Sequence, residues 1–263
     1  MDTKEYTLLI GVLTKDSSVW IEGVLKNVEA YASLFKTYRC LIVDGHSVDT
    51  TRQRCEVWCS KDADRRSFKV QPSVNKQRGE SLVEARSLVL QHYASQFGQK
   101  VLLLLLDGDS VNARPVALEG FKTCFKRTDW AALFANQPTT YYDVWALRSE
   151  ECPNDYQIPV HLRQETWQSI EPYVKKLQAR KPPQLGWLEV RSAFGGAGLY
   201  RTSSINLETD KYMCWQTVTV ELQTKEQRRL LLPVCEHVPF HQSMVQRGEK
   251  LYINCEWLIS DHL

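Results

Sequence analysis

The stretch KVLLLLLDGDS, residues 100–110, constrains this chain more than any other. Its unbroken aliphatic run, Val101 to Leu106, is the length of one strand and far short of the roughly twenty residues a membrane-spanning helix requires. A strand that is apolar at every position has no face left for water, so both faces must be covered by other layers. The preceding chain supplies candidates for that cover. YTLLIGVLT (residues 6–14) reads as a strand, and SSVWIEGVLKNVEAYASLF after it, apolar at three- and four-residue spacing, reads as a helix. RCLIVDGHS reads as a second buried strand closed by the turn chemistry of Asp44 and Gly45. SLVEARSLVLQHYASQF (residues 81–97) has helical period, with Gly98 as its stop. Such alternation predicts an α/β fold with a mostly parallel, helix-flanked sheet, whose ligands gather outside the carboxyl ends of the strands.

Past Asp109 the pattern loosens. A helix is expected from about Pro115 to Arg127 and a strand near WAALFA, followed by a loop-rich stretch through Tyr141, Asp143 and Trp145. Lys181-Pro182-Pro183 breaks the chain without a shift in composition, which suits an internal loop better than a domain boundary. Charge excludes whole classes of partner: 33 Lys plus Arg against 31 Asp plus Glu give +2, no global field for nucleic acid or an anionic membrane. The eight cysteines are scattered, which predicts reduced thiols. Cys55 and Cys59 share one face of a helical segment, but no second pair completes a zinc set, so they read as structural. The N-terminus has no basic, apolar and small-residue sequence of the secretory kind, so the chain as given reads as cytoplasmic, or as an excised catalytic domain.

Asp107-Gly108-Asp109 closes the buried run, and residues two apart in an extended chain point the same way, so both carboxylates can face one ion. Gly108 between them permits close approach of the backbone to a ligand. Hard cations such as Mn²⁺ or Mg²⁺ take oxygen ligands, and Mg²⁺ completes its shell with substrate phosphates, which points to a nucleoside diphosphate. The plainer reading is two acids capping a strand in a solvated turn.

The order of three segments resembles the GT-A glycosyltransferases, especially the large inverting family that includes bacterial polysaccharide synthases. VDGHSVDTT (residues 43–51) is similar to that family's second-strand motif, which implies uracil contact by Asp44. EARS, with Arg86, resembles its Ala-Arg-Asn step, Ser87 standing where Asn is usual, and Asp107 and Asp109 fall at its DxD. SAFGGAGLYR (residues 192–201) resembles the loop under the donor sugar, with Gly195, Gly196 and Gly198 permitting close approach; otherwise it is a plain turn. CEHVPFHQSMVQRGEKLYINCEWLISDH is similar to the family's Glu-Asp helix, following strand and terminal histidine, with Glu236-His237 replacing Glu-Asp. YYDVWALR (residues 141–148) further resembles fungal capsule-associated mannosyltransferases and glycosyltransferases of large algal viruses.

The resemblance implies one GT-A domain over residues 1–263, nucleotide-binding to about residue 112 and acceptor-binding beyond. It implies a hexosyl- or pentosyltransferase that moves a sugar from a nucleoside diphosphate, a UDP-sugar first, to a glycan or glycoprotein acceptor. Asp107, Asp109 and His262 are then the metal ligands, Thr14 and Asp44 hold the base, and Arg86 pairs with the diphosphate or the DxD acids. His237 is the nominated base toward the acceptor, with Glu236 adjacent, while histidine in place of the family's aspartate also fits a retaining enzyme that needs no base there. Neighbours at a helix start point about 100° apart, so one of the two is expected on the acceptor and the other behind it. Asp143, beside Tyr142 and Trp145, is a further acceptor-site candidate, aromatic rings next to a carboxylate suiting a sugar. Two alternatives stand beside this. LLLLLDGDSV also satisfies the nucleophile motif of haloacid-dehalogenase-like phosphatases, with Asp107 attacking phosphorus, although no later acidic pair completes it. The other is a sugar-nucleotide or glycan-binding module without turnover.

Overall fold

The computed structural model describes residues 1–74, 76–221 and 227–261. Strand and helix alternate from the start: β1 (Thr7–Thr14), α1 (Ile21–Ala32), β2 (Thr37–Asp44), α2 (Thr51–Ser60), β3 (Arg66–Val70), α3 (Arg78–Tyr93) and β4 (Val101–Asp107). Beyond them lie α4 (Leu118–Lys122), β5 (Ala132–Asn136), α5 (Ile158–His161), α6 (Trp167–Leu177), β6 (Trp187–Val190) and β7 (Ala197–Arg201). An antiparallel pair, β8 (Trp215–Glu221) and β9 (Gln227–Pro233), precedes α7 (His237–Gln246) and β10 (Leu251–Leu258).

Eight strands form one sheet in the order β3-β2-β1-β4-β7-β5-β10-β6. β3, β2, β1 and β4 run parallel, as do β5 and β10, while β7 enters antiparallel between β4 and β5 and β6 lies antiparallel at the edge. β4 shows why the sheet is covered on both sides. Leu102, Leu104 and Leu106 pack in the cluster that holds Ile21, Val24 and Val28 of α1, and Leu103 and Leu105 pack in the opposite cluster with Ala85, Val89 and Tyr93 of α3. Each buried leucine contributes about 1.5–3 kcal/mol, so this strand ties both layers to the sheet.

Two expected helices are redrawn. The segment from Pro115 to Arg127 shortens to α4 plus a 3-10 turn, Thr123–Phe125, where Thr123 Oγ1 donates to Gly120 O at 2.6 Å. The helix expected over 81–97 begins earlier, at Arg78, and ends at Tyr93 in a 3-10 turn, Ala94–Gln96. Cys55 and Cys59 face the core from α2, and all eight cysteines are free thiols. Among the described residues no helix is long and apolar enough to cross a membrane.

Strand register sets up the site. Thr14 lies level with Asp44 and Leu13 with Asp107, so three parallel strands end together at one sheet edge.

Candidate active site

A cavity of about 560 Å³ opens at that edge, and Thr14, Arg86, Asp107, Asp109, Asp143, Glu236 and His237 all line it. The acids at the end of β4 are held from both neighbouring strands. Asp107 N donates to Gly196 O at 2.9 Å, Gly108 N to Leu13 O at 2.6 Å, and Thr14 Oγ1 to Gly108 O at 3.1 Å. A Cβ on Gly108 would stand 2.7 Å from Thr14 Cβ and 2.8 Å from Leu13 O. The close approach this glycine permits is therefore to β1. Asp109 Oδ1 accepts from Val111 N at 3.1 Å and caps the 3-10 turn Ser110–Asn112, so its capping role and its place on the cavity wall coexist.

Arg86, on α3 and 2% exposed, divides its guanidinium between two acids from distant elements. Nε donates to Glu236 Oε1 at 2.8 Å and Nη2 to Asp107 Oδ1 at 3.2 Å, while the group lies 4.4 Å over the Phe194 ring. The expected contact between Arg86 and Asp107 is present. Nη1 is buried and has no hydrogen-bond partner among the described residues. Around this cation stand Asp107, Asp109, Asp143 and Glu236. Burial raises Asp107 to about 7; Arg86 opposes the rise, and Asp109, Glu236 and Asp143 add to it. Carboxylates in excess over cations, two of them two residues apart on one wall, fit a hard divalent ion that completes its shell with phosphate oxygens. Among the described residues no group of three His, Cys, Asp or Glu stands together as a full ligand set. His262, the expected third ligand, lies outside the described residues.

Glu236 precedes α7 and His237 opens it, and the ends of their side chains meet rather than diverge as expected of neighbours at a helix start. Glu236 turns to Arg86, with Oε2 accepting from Cys235 Sγ at 3.6 Å. His237 stacks on Phe194, with centroids 4.0 Å apart, and its Nε2 is 3.5 Å from Glu236 Oε1. Burial, then Arg86 and His241, drive its pKa well below the ordinary range, so the ring is neutral. Asp143, on the loop after β5, accepts from Gly195 N at 3.0 Å and from Ala146 N at 3.3 Å. Its pKa is raised, chiefly by burial.

Three residues expected to touch ligand are placed behind the wall. Asp44 is fully buried, and its carboxylate accepts from Ser47 N at 3.0 Å and from Ser47 Oγ, closing the turn after β2; Val43 and Gly45 face the cavity instead. Gly195 and Gly196, at φ +65° and +88°, carry the loop before β7 tightly past Ala135 and Val111. Their contribution is the backbone groups that hold Asp143 and Asp107. Lys15, Lys76 and Arg78 were not anticipated: they line the same cavity and are exposed. Lys15 directly follows the last residue of β1, a position that could have flagged it.

The fold is that of the GT-A nucleotide-sugar glycosyltransferases. Among solved structures the chain is similar to the mannosyltransferase PcManGT from Pyrobaculum calidifontis in complex with GDP-Man and Mn²⁺, with TM-score 0.52, 12% identity and 97% of this chain covered. It is equally similar to S. aureus TarS 1-349 in complex with UDP-GlcNAc, with TM-score 0.53, 12% identity and 98% covered. It spans 56% and 59% of those two chains. No family model matches the sequence, and no curated protein matches it.

Proposed function

We propose that the protein is a metal-dependent glycosyltransferase that transfers a sugar from a nucleoside diphosphate sugar, a UDP-sugar first, to a glycan or glycoprotein acceptor. One observation carries the reading: Asp107 and Asp109 share the wall of a cavity at the carboxyl edge of β1 and β4, in a GT-A fold. The two similar structures hold GDP-Man with Mn²⁺ and UDP-GlcNAc respectively, which supports a nucleotide-sugar donor and a divalent ion.

In this reading Asp107 and Asp109 would hold Mn²⁺ or Mg²⁺, which when bound supplies positive charge to a departing diphosphate. Lys15, Lys76 and Arg78 place further cationic groups on the diphosphate's approach, although Lys76 also pairs with Glu84 at 2.9 Å. Thr14, Gly45 and Gln71 form the flank on which the nucleoside lies. Arg86 keeps Asp107 and Glu236 in place, and Gly195 keeps Asp143. Sequence order matches this division, nucleoside contacts coming from the first half of the chain and acceptor-side groups from the second.

Calorimetric titration of UDP and GDP with and without Mn²⁺, on the wild type and on Asp109→Asn, tests the proposal. The expected result is Mn²⁺-dependent binding of one nucleotide, lost in the variant, because ligands bridged through an ion are linked. Failure of both nucleotides to bind overturns it.

A further inference from the structure

We infer that Asp143, rather than Glu236 or His237, is the base that takes the proton from the acceptor hydroxyl. The inference rests on the glycosyltransferase reading and adds a residue role to it. Strand order places Asp143 on the correct flank. β4 carries Asp107; β1 and β2 lie on one side of it, with Thr14 and Gly45, and β7 and β5 lie on the other. Asp143 follows β5 and is fastened to Gly195, just before β7. A donor whose nucleoside lies along β1 and β2 and whose diphosphate lies at β4 therefore presents its sugar toward Asp143.

The other groups on this side are ion-paired or buried. Glu236 is ion-paired with Arg86 through Oε1, its Oε2 accepts from Cys235 Sγ, and its side chain is 3% exposed, so burial and the bound cation, not lone-pair count, set it apart. His237 is sealed: neither ring nitrogen has a hydrogen-bond partner among the described residues, and the ring lies between Phe194 and His241. An acceptor hydroxyl cannot reach either nitrogen without displacing packed rings. Asp143 differs from both. Each carboxylate oxygen accepts one backbone N–H, from Gly195 and from Ala146, and no cation is bonded to it among the described residues. Two amide donors fix the plane of the group and leave each oxygen a lone pair. Asp143 is a half-buried residue on the cavity wall, and its raised pKa makes it a stronger base than a solvated aspartate.

In the step so assigned, the acceptor O–H bond breaks and its proton passes to Asp143. The acceptor oxygen forms the new bond to the anomeric carbon, and the bond from that carbon to the diphosphate breaks, its electron pair leaving on the phosphate oxygen. Asp143 then releases the proton to solvent.

Hydrolysis of UDP-glucose, UDP-GlcNAc and GDP-mannose, with water as the acceptor, tests this in the wild type and in Asp143→Asn, which keeps an oxygen for Gly195 N–H. Asp143→Ser is the second variant should the first fail to fold. Nucleotide release should fall on the order of 10²- to 10⁴-fold, the usual contribution of a general base, while Mn²⁺-dependent nucleotide affinity stays within twofold. Hydrolysis within threefold of wild type in a folded variant overturns the assignment. So does a loss matched by an equal loss of nucleotide affinity, which marks a structural role. A wild type that binds nucleotide yet turns over none of the three donors overturns it in favour of a binding module. Failure to bind UDP or GDP defeats the glycosyltransferase reading itself.

Discussion

Arg86 and Glu236, 150 residues apart in the chain, form a buried ion pair with Nε and Oε1 at 2.8 Å, and the same guanidinium reaches Asp107 at 3.2 Å. One cation thus ties α3 to the start of α7 and to the end of β4. Removing it leaves two acids without their partner in a low-dielectric site. Arg86→Met should lower stability by about 3–5 kcal/mol, as breaking buried pairs does, measured by urea unfolding at pH 7.5. Arg86→Lys should not restore it, because a single ammonium cannot span both acids and cover the Phe194 ring.

His241 titrates with folding in the opposite sense to the cavity acids. Burial, then Arg86, depresses it to about 3, and its nitrogens are engaged by Ser192 Oγ and Tyr200 OH, both at 2.9 Å. The unfolded histidine takes a proton near pH 6.5, while the folded one stays neutral until about 3, so the unfolded state binds more protons between these limits. Stability from this group is full above pH 6.5 and is lost as pH falls, by about 1.4 kcal/mol per unit. Asp107 and Asp143 act with the opposite sign, so wild type and His241→Phe are compared. The variant should be weaker at pH 7 by about 1–3 kcal/mol, the cost of stranding two buried hydroxyls. That gap should close steadily toward pH 5 in urea titrations.

Gly195 combines φ +65° with a would-be Cβ only 2.7 Å from Ala135 O. Gly195→Ala pays both the left-handed backbone cost, about 1–2 kcal/mol, and the displacement of a backbone carbonyl. A lower unfolding midpoint should be accompanied by loss of turnover, since the same residue orients Asp143.

Asp109→Asn retains an oxygen to cap Val111 N, so its unfolding midpoint without ligands should match wild type. Saturating Mn²⁺ with the preferred nucleotide, at a hundred times its Kd, should stabilise wild type by about 2.7 kcal/mol and leave the variant unmoved. Equal stabilisation of both proteins would remove Asp109 from the metal site.

Much of the fold is legible in the sequence. β1, α1, β2, α3 and β4 follow from hydrophobic period, and Asp107 and Asp109 follow from their place at the end of a strand apolar on both faces. These are local properties, set by residues within a few positions of one another. The antiparallel entry of β7 between β4 and β5 is a long-range pairing with no local mark.

The division within the site has the same origin. Residue types and order nominated Arg86, Asp107, Asp109, Asp143, Glu236 and His237, and the folded chain brings them to one cavity. Which carboxylate is spent on Arg86, which is held by backbone amides and open to the cavity, and that Asp44 closes a turn with Ser47, were decided by tertiary structure. A side chain's availability depends on its burial and on what already occupies its lone pairs, and those partners come from segments far away in the chain.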